Sequence, residues 1–446
     1  MKKIICVLLL TSATAYLFAQ DAKMDKILNA KEVERVEKIL SADDMEGRAT
    51  FTPGNDRAAA FIADEFKKAG LQTWNNSGTY IQQIPSMIGS RPTSLSAKFD
   101  GVPVDPKNII VVSGKTDVQL NELSGLEKVT IAKGANLNAE ARKYLGQAST
   151  KNYLVLVDTS FGLNFARLQP RGASAKSEKA VVFVLTSQDP KTFSVEAKFT
   201  EQKLQNVLGV LPGKSRPNEY VIFSGHYDHL GIRATKDKDG NVLADSIYNG
   251  ANDDAAGTTA VIMLAKYFKQ LNDNERTLIF VAFTAEEIGG YGAQYFSKQL
   301  VPEQVIAMFN LEMIGTQSKW GKNSAYITGY ERTDMGKILQ DNLKGTDFTF
   351  YPDPYFPMPS PSNLFFRSDN ATLARLGVPA HTISTSKMED PPEPNYHKVT
   401  DEIGTLDMDN MAMIIKAIAI SSKGIISGQQ TPSRVDVSNL NRPARN

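Results

Sequence analysis

The chain predicts an α/β fold: a mainly parallel central sheet flanked by helices, interrupted by a smaller inserted domain. Three observations carry this. From about residue 203 onward, short apolar runs alternate with longer segments of helical spacing, the pattern of strands joined by crossover helices. Between about 90 and 200 the text changes to short β-rich runs, NIIVV, KVTIA, YLVLVD and AVVFVL, with one helical stretch between the last two. Before residue 80, residues 28 to 40 and 56 to 70 carry helical spacing, and Gly70 supplies a stop.

At the start of the chain, Lys2 and Lys3 precede the apolar run Ile4 to Leu10, and small residues lead to Ala19. This reads as a secretory signal cleaved near Ala19 or Gln20. The run is shorter than the roughly 20 apolar residues of a membrane span. No later segment is long and apolar enough, so stable membrane insertion is not expected. The expected organisation is a signal over 1–20, the first part of the main domain over 21–89, the insert over 90–200, the rest of the main domain over 201–428 and a loose polar tail over 429–446.

Within the main domain, NVLGVLPG and YVIFSG read as strands, and AAGTTAVIMLAKYFKQL as a long helix. TLIFVAF is a buried strand, YGAQYFSKQL a helix, and VIAMFNLEMIG a further strand. Residues 352 to 363, rich in proline, read as a rigid surface loop near the site. Folds of this kind place ligand sites beyond the carboxyl ends of their strands.

Formal charge is +1, and removal of Lys2 and Lys3 leaves −1. A near-neutral chain has no global attraction for nucleic acid or anionic lipid. The only cysteine, Cys6, lies in the signal, so the mature chain has no disulfide and no cysteine ligand or nucleophile. There is no G-x-S-x-G elbow for a serine hydrolase. Export without disulfides fits a periplasmic or extracellular location.

The chemistry collects at the predicted strand ends. YVIFSG is followed by His226, Tyr227, Asp228 and His229; NGANDDAAG places Asp253 and Asp254 just before a helix. TLIFVAFTA runs into Glu286 and Glu287, AMFNL into Glu312, and PNYHKVTDE holds His397 and Asp401. Three of the four histidines lie in these segments. Imidazole and carboxylate without thiolate suit zinc in a catalytic site. Five such ligands exceed what one zinc with an open position needs. They suit two zinc ions sharing a bridging carboxylate, with a hydroxide between them. Two adjacent glutamates can divide the work, one on a metal and the other moving a proton.

In order, GHYDHLG, NGANDDAAG, FTAEEIGGYGAQYF, NLEMIG, RSDNATLARLGVP and YHKVTDE resemble the motifs of the di-zinc exopeptidase family of secreted bacterial aminopeptidases and glutamate carboxypeptidases. MEGRATFTPGNDRAAAFIADEFKKAGL is similar to that family's amino-terminal segment. The resemblance implies a zinc-peptidase fold and two zinc ions per chain. His226, Asp253 and Glu312 would hold one ion; Asp253, Glu287 and His397 the other, with Asp253 bridging. Glu286 would be the general base, Asp228 would orient His226, Tyr396 would donate to the tetrahedral oxyanion, and Arg367 would contact substrate. Peptides are the implied substrates, and an aminopeptidase is the expected activity.

Glu312 departs from the family, which usually has aspartate there; the added methylene moves the carboxylate unless the backbone retreats. Asn370 stands where many members have histidine. Asp254 reads as a helix cap or supporting residue. His229 would point to the opposite side if its strand continued, and it reads with His381 as structural. The insert resembles the protease-associated domain of some relatives and is expected to form a wall of the cleft. Glu389, Asp390 or Glu393 could anchor an α-amino group, with surface solvation as the plainer role. A zinc glutaminyl cyclase on the same scaffold would bind one zinc; a receptor-like binding protein would lose ligands or the base.

Overall fold

The computed structural model describes residues 23–145, 151–170, 172–234, 240–242, 244–356, 363–388 and 393–439. The expected signal over 1–20, half of the proline-rich loop, Glu389 and Asp390 lie outside them. The chain forms two compact units, residues 1–83 with 205–446, and residues 84–204.

The larger unit opens with two helices. In α1 (Ala30–Leu40), the Asn29 side chain caps the amino end by accepting from the Glu32 amide. In α2 (Pro53–Ala69), Thr52 is the cap, Pro53 occupies the first turn, and left-handed Gly70 ends the helix. The sheet and its remaining helices follow as β1 (Glu201–Leu211), β2 (Arg216–His226), α3 (Ala256–Leu271), β3 (Arg276–Phe283), α4 (Tyr291–Ser297), β4 (Val305–Leu311), β5 (Ser324–Ile327), α5 (Met335–Asn342), β6 (Thr349–Pro352), α6 (Asn370–Ala374), β7 (Ala380–Ser384) and α7 (Met408–Ser421).

These strands pair in the order β6-β5-β7-β4-β2-β3-β1. The β2–β3, β2–β4, β4–β7 and β5–β6 pairs are parallel; β1–β3 and β5–β7 are antiparallel. The sheet is therefore mixed and mainly parallel. β3 is buried along its whole length, as a strand covered on both faces must be. Phe223 of β2 stacks on Phe280 of β3 at 5.6 Å and on Phe309 of β4 at 4.9 Å between ring centroids. This aromatic row fixes the register of three parallel strands, and their carboxyl ends finish together. β3 and β4 lie on opposite sides of β2, so consecutive crossovers diverge there and open a crevice beyond the strand ends.

α3 is apolar nearly all round and is buried against the sheet. Its first turn comes unusually close: a Cβ on Gly257 would lie 2.1 Å from the Leu311 carbonyl oxygen and 2.4 Å from the Asp254 carboxylate. Only glycine lets this helix start directly over the end of β4.

Arg48 holds the opposite side of the same region. Its buried guanidinium donates to the main-chain carbonyls of Tyr227 (2.8 Å), Leu40 (2.6 Å), Asn249 (2.5 Å) and Gly250 (2.8 Å). One cation thus satisfies carbonyls from α1, the segment after β2 and the loop before α3.

The smaller unit has two sheets of its own. One runs Ile109–Ser113, Ala180–Leu185, Tyr153–Val157, Glu127–Ile131, with an antiparallel first pair and parallel pairs after it. The other is antiparallel, in the order Val102–Pro103, Ser94–Phe99, Phe193–Lys198, Asp117–Asn121. Val111, Leu154 and Val182 of the first pack with Val118 and Val195 of the second. Val155 and Phe183 meet Leu137 and Ala141 of helix Leu137–Leu145. This unit spans residues 84–204, and strands Ile81–Gly89 and Glu201–Leu211 cross its two boundaries.

The expected loose tail over 429–446 is in part docked. Gln430 and Thr431 accept from Arg276, Val435 is buried, and Arg434 donates to the Val305 carbonyl. Polar composition concealed these anchors. Among the described residues, no helix is long and apolar enough to cross a membrane.

Candidate metal centre

The strand ends bring the sequence-selected residues together. His226 ends β2, Glu286 and Glu287 follow β3, Glu312 follows β4, and Asp253 precedes α3. His397 enters from a loop near the carboxyl end. Ala285, Met313 and His397 all have left-handed backbone, with φ of 61°, 50° and 55°. Such conformations are costly outside glycine and recur where a site dictates the chain's direction. Here each redirects the chain next to a site carboxylate or imidazole.

His226 Nε2 lies 3.3 Å from Asp253 Oδ1 and 3.3 Å from Glu312 Oε1. His397 Nε2 lies 3.1 Å from Asp253 Oδ2 and 3.2 Å from Glu287 Oε1. The two oxygens of Asp253 therefore face two separate imidazoles. Donors bound to one tetrahedral zinc at about 2.0–2.1 Å sit about 3.3–3.4 Å apart. The observed spacings fit that edge and are long for hydrogen bonds between charged groups. The carboxyl and imidazole groups here could hold metal ions in two clusters, His226–Asp254–Glu312 and His229–Asp253–Glu287.

The surrounding bonds show which donors are free. Asp254 is engaged by main chain: its carboxylate accepts from the amides of His226, Gly257 and Met313 at 3.0–3.1 Å. That leaves Asp253 as the aspartate open to both clusters. Asp401 places it, accepting from the amides of Asn252 (2.9 Å) and Asp253 (3.0 Å).

Asp228 supports His226 differently from expectation. The ring Nδ1 faces the Asp228 main-chain carbonyl at 3.0 Å, whereas the nearest carboxylate oxygen is 3.8 Å away. The carboxylate instead accepts from the amides of Glu286 (3.0 Å) and Glu287 (3.3 Å) and from Thr50 Oγ1 (3.1 Å). One aspartate thus sets the imidazole through its backbone and the glutamate pair through its side chain.

The longer Glu312 is accommodated by a hydroxyl. Ser368 donates to Glu312 Oε2 at 2.5 Å, Asn310 donates to Ser368 at 2.8 Å, and Ser224 donates to Asn310 at 2.7 Å. This partly buried chain takes one carboxylate oxygen and leaves Oε1 toward His226. Sequence reading missed Ser368; its only signal was its place inside RSDN.

His229 requires a correction. β2 ends at His226, so the alternation that would send His229 to the opposite side does not continue. Instead His229 sits 2.9 Å through Nδ1 from Glu287 Oε1, buried within the second cluster. His381 does sit inside the fold, on β7, with Nδ1 2.8 Å from the Thr328 carbonyl and Nε2 2.7 Å from Thr333 Oγ1. Glu393 is buried rather than solvated, and it accepts from the Lys387 amide. Asn370 donates to the carbonyls of Phe365 and Ala380, bracing α6 against β7.

Electrostatics agree with a site that wants cations. Burial raises the Glu286 carboxyl well above its ordinary range, reinforced by Glu312, Asp369 and Glu287 against His226. Burial opposes protonation of His397, yet Asp253 and Glu287 hold the ring at about 10. Asp369, fully buried with both oxygens unpartnered, is pushed up to about 8 by burial and by Glu312 and Asp228. Tyr396 stacks on His397 at 3.9 Å. Burial and then the charges of Asp253, Glu287 and Glu312 raise its phenol, which keeps its proton as a donor; Arg367 opposes this and so lies within electrostatic reach.

Residues 206–421, which carry every one of these donors, match the sequence profile of peptidase family M28. The match covers 216 of the 446 residues, just under half of the chain. The chain is 28% identical over 177 residues to aminopeptidase YwaD of Bacillus subtilis, an alignment covering 36% of this chain and 35% of that protein. It is 33% identical over 118 residues to a probable zinc metalloprotease of Pyrenophora teres f. teres, covering 26% of this chain and 23% of the relative. The matches thus span about a third or less of these curated relatives. Among solved structures, the zinc aminopeptidase BSAP from Bacillus subtilis superposes with TM-score 0.55 at 16% identity, over 92% of this chain and 99% of that one. The aminopeptidase from Aneurinibacillus sp. strain AM-1 gives 0.52 at 18%, over 96% and 100%. At such identities the likeness is one of fold.

Proposed function

We propose that this chain is an exported, zinc-dependent exopeptidase, an aminopeptidase acting on peptides, with two zinc ions per chain. The observation that carries the reading is Asp253, whose two oxygens face His226 and His397 at 3.3 and 3.1 Å. A single-ion site has no use for a carboxylate split between two imidazoles. His226, Asp253 and Glu312 would hold one ion, and Asp253, Glu287 and His397 the other. Bound zinc supplies Lewis acidity that polarises a scissile carbonyl and makes water nucleophilic near neutral pH.

The chain's own groups do the rest. Glu286 is the proton shuttle: its amide is fixed by Asp228, its carboxyl engages no ligand role, and it can take a proton from the attacking water and pass it to the leaving amine. Tyr396 donates its phenolic hydrogen to the developing oxyanion. Exposed Arg367, near Tyr396, contacts the substrate beyond the cleaved bond.

The test is hydrolysis by the zinc-loaded protein of peptides with free and N-acetylated amino termini. Free peptides are expected to lose their first residue, and blocked ones to persist. Equal cleavage of both, or release of carboxy-terminal residues, overturns the aminopeptidase reading. Cyclisation of glutaminyl peptides without hydrolysis replaces it with the cyclase.

A further inference from the structure

We propose that His229 is a fourth protein donor to the second metal ion, binding through Nδ1 beside Asp253, Glu287 and His397. The inference rests on the two-ion reading and deepens it.

Buried histidines in folded proteins have hydrogen-bonded ring nitrogens. His229 is 2% exposed, yet neither ring nitrogen has a hydrogen-bond partner. Its Nδ1 nonetheless approaches Glu287 Oε1 to 2.9 Å, and Oε1 is itself buried without a hydrogen bond. Two complementary atoms this close and yet misaligned for a hydrogen bond point at a common third position rather than at each other. His397 Nε2 approaches the same Oε1 to 3.2 Å, and the His229 and His397 rings meet edge to face at 5.7 Å. One donor atom each from His229, Asp253 and Glu287 lies within 4.8 Å of the others.

The ring is held in this orientation. Gly250, at φ +57°, packs so closely that a Cβ there would lie 2.4 Å from His229 Cδ2. Arg48 draws in the Gly250 carbonyl at 2.8 Å, keeping that backbone against the imidazole. A merely space-filling side chain needs no such seat, and a structural histidine would have used a neighbouring carbonyl as His381 does.

Four protein donors would close the second site, whereas His226, Asp253 and Glu312 would leave the first a position for substrate.

Cobalt(II) is the probe. The full chain is stripped of metal, loaded with cobalt(II), and its paramagnetically shifted imidazole N–H resonances are counted by NMR alongside the number of ions bound. Two ions and three shifted resonances are expected, one of them missing from His229→Gln, whose second ion binds at least about ten-fold more weakly. Two ions with only two shifted resonances in the wild type overturn the His229 assignment alone, whether or not the variant folds. Fewer than two ions overturn the two-ion reading and this assignment together.

Discussion

The sheet interior and the strand ends treat buried polar groups in opposite ways. Around β7, His381 uses both ring nitrogens, and Asn310, Ser224, Thr382 and Asn370 form a continuous hydrogen-bonded set. Beyond the strand ends, His229, Glu287 Oε1 and both oxygens of Asp369 are buried without partners. Leaving such groups unpaired costs about 1–3 kcal/mol each, more when charged. The polar set around β7 is satisfied by protein alone; His229, Glu287 Oε1 and Asp369 are not. Stability and activity should therefore separate when the two regions are perturbed.

Glu286→Gln tests that separation most severely. It should keep the fold and both zinc ions while losing about 10²–10⁴ in turnover, measured against metal content in the same preparation. A variant that stays active, or that loses zinc in proportion to rate, would join the two regions again.

Arg48→Met is the converse perturbation. It leaves four buried carbonyls without their donor and should cost on the order of 3–5 kcal/mol in urea unfolding. Tyr227 and Gly250, which flank His226 and Asp253, lose their anchor, so metal affinity should fall with stability.

His381 gives the interior a pH signature. Burial lowers its ring to about 4, against an ordinary 6.5, with Arg332 adding to the effect. The unfolded chain takes up this proton below about 6.5 and the folded chain only near 4, so the neutral ring's contribution is present above 6.5 and lost as pH falls through that window. The loss amounts to about 3 kcal/mol. Stability measured from pH 7 to 4 should show a shallower decline in His381→Gln, with zinc content unchanged at pH 7. An unaltered slope would remove His381 from the interior's acid response.

Ser368→Ala is the smallest and most local change. It frees one oxygen of Glu312 and should weaken one zinc by about ten-fold, with recovery in Ser368→Thr. Chelator competition reads it directly; unchanged affinity would show that Glu312 needs no hydroxyl to hold its place.

The elements most legible in the sequence were those whose physics is local. The run TLIFVAF is apolar throughout, and it forms a strand buried on both faces. Gly70 stops a helix by the chemistry of its carboxyl end, although the helix starts at Pro53, three residues before the expected 56. The carboxylates and histidines at the strand ends could be picked out because they interrupt apolar runs. What escaped depends on contacts distant in sequence. Asp228 serves the glutamate pair through a carboxylate whose partners lie 58 and 59 residues away. Ser368 reaches Glu312 from another element, and Arg48 works through main-chain carbonyls that carry no side-chain signal. Strand alternation extended past His226 misplaces His229, because the strand ends there. The tail was read from composition, although Arg276 and Arg434 tie its start down.

The central claim is that Asp253 joins two metal clusters at the strand ends. Zinc per chain, measured by elemental analysis on protein loaded with zinc and dialysed free of excess, tests it most directly. The geometry predicts two ions, falling to one or none in Asp253→Ala with the fold retained; a wild-type value of one or zero would contradict it.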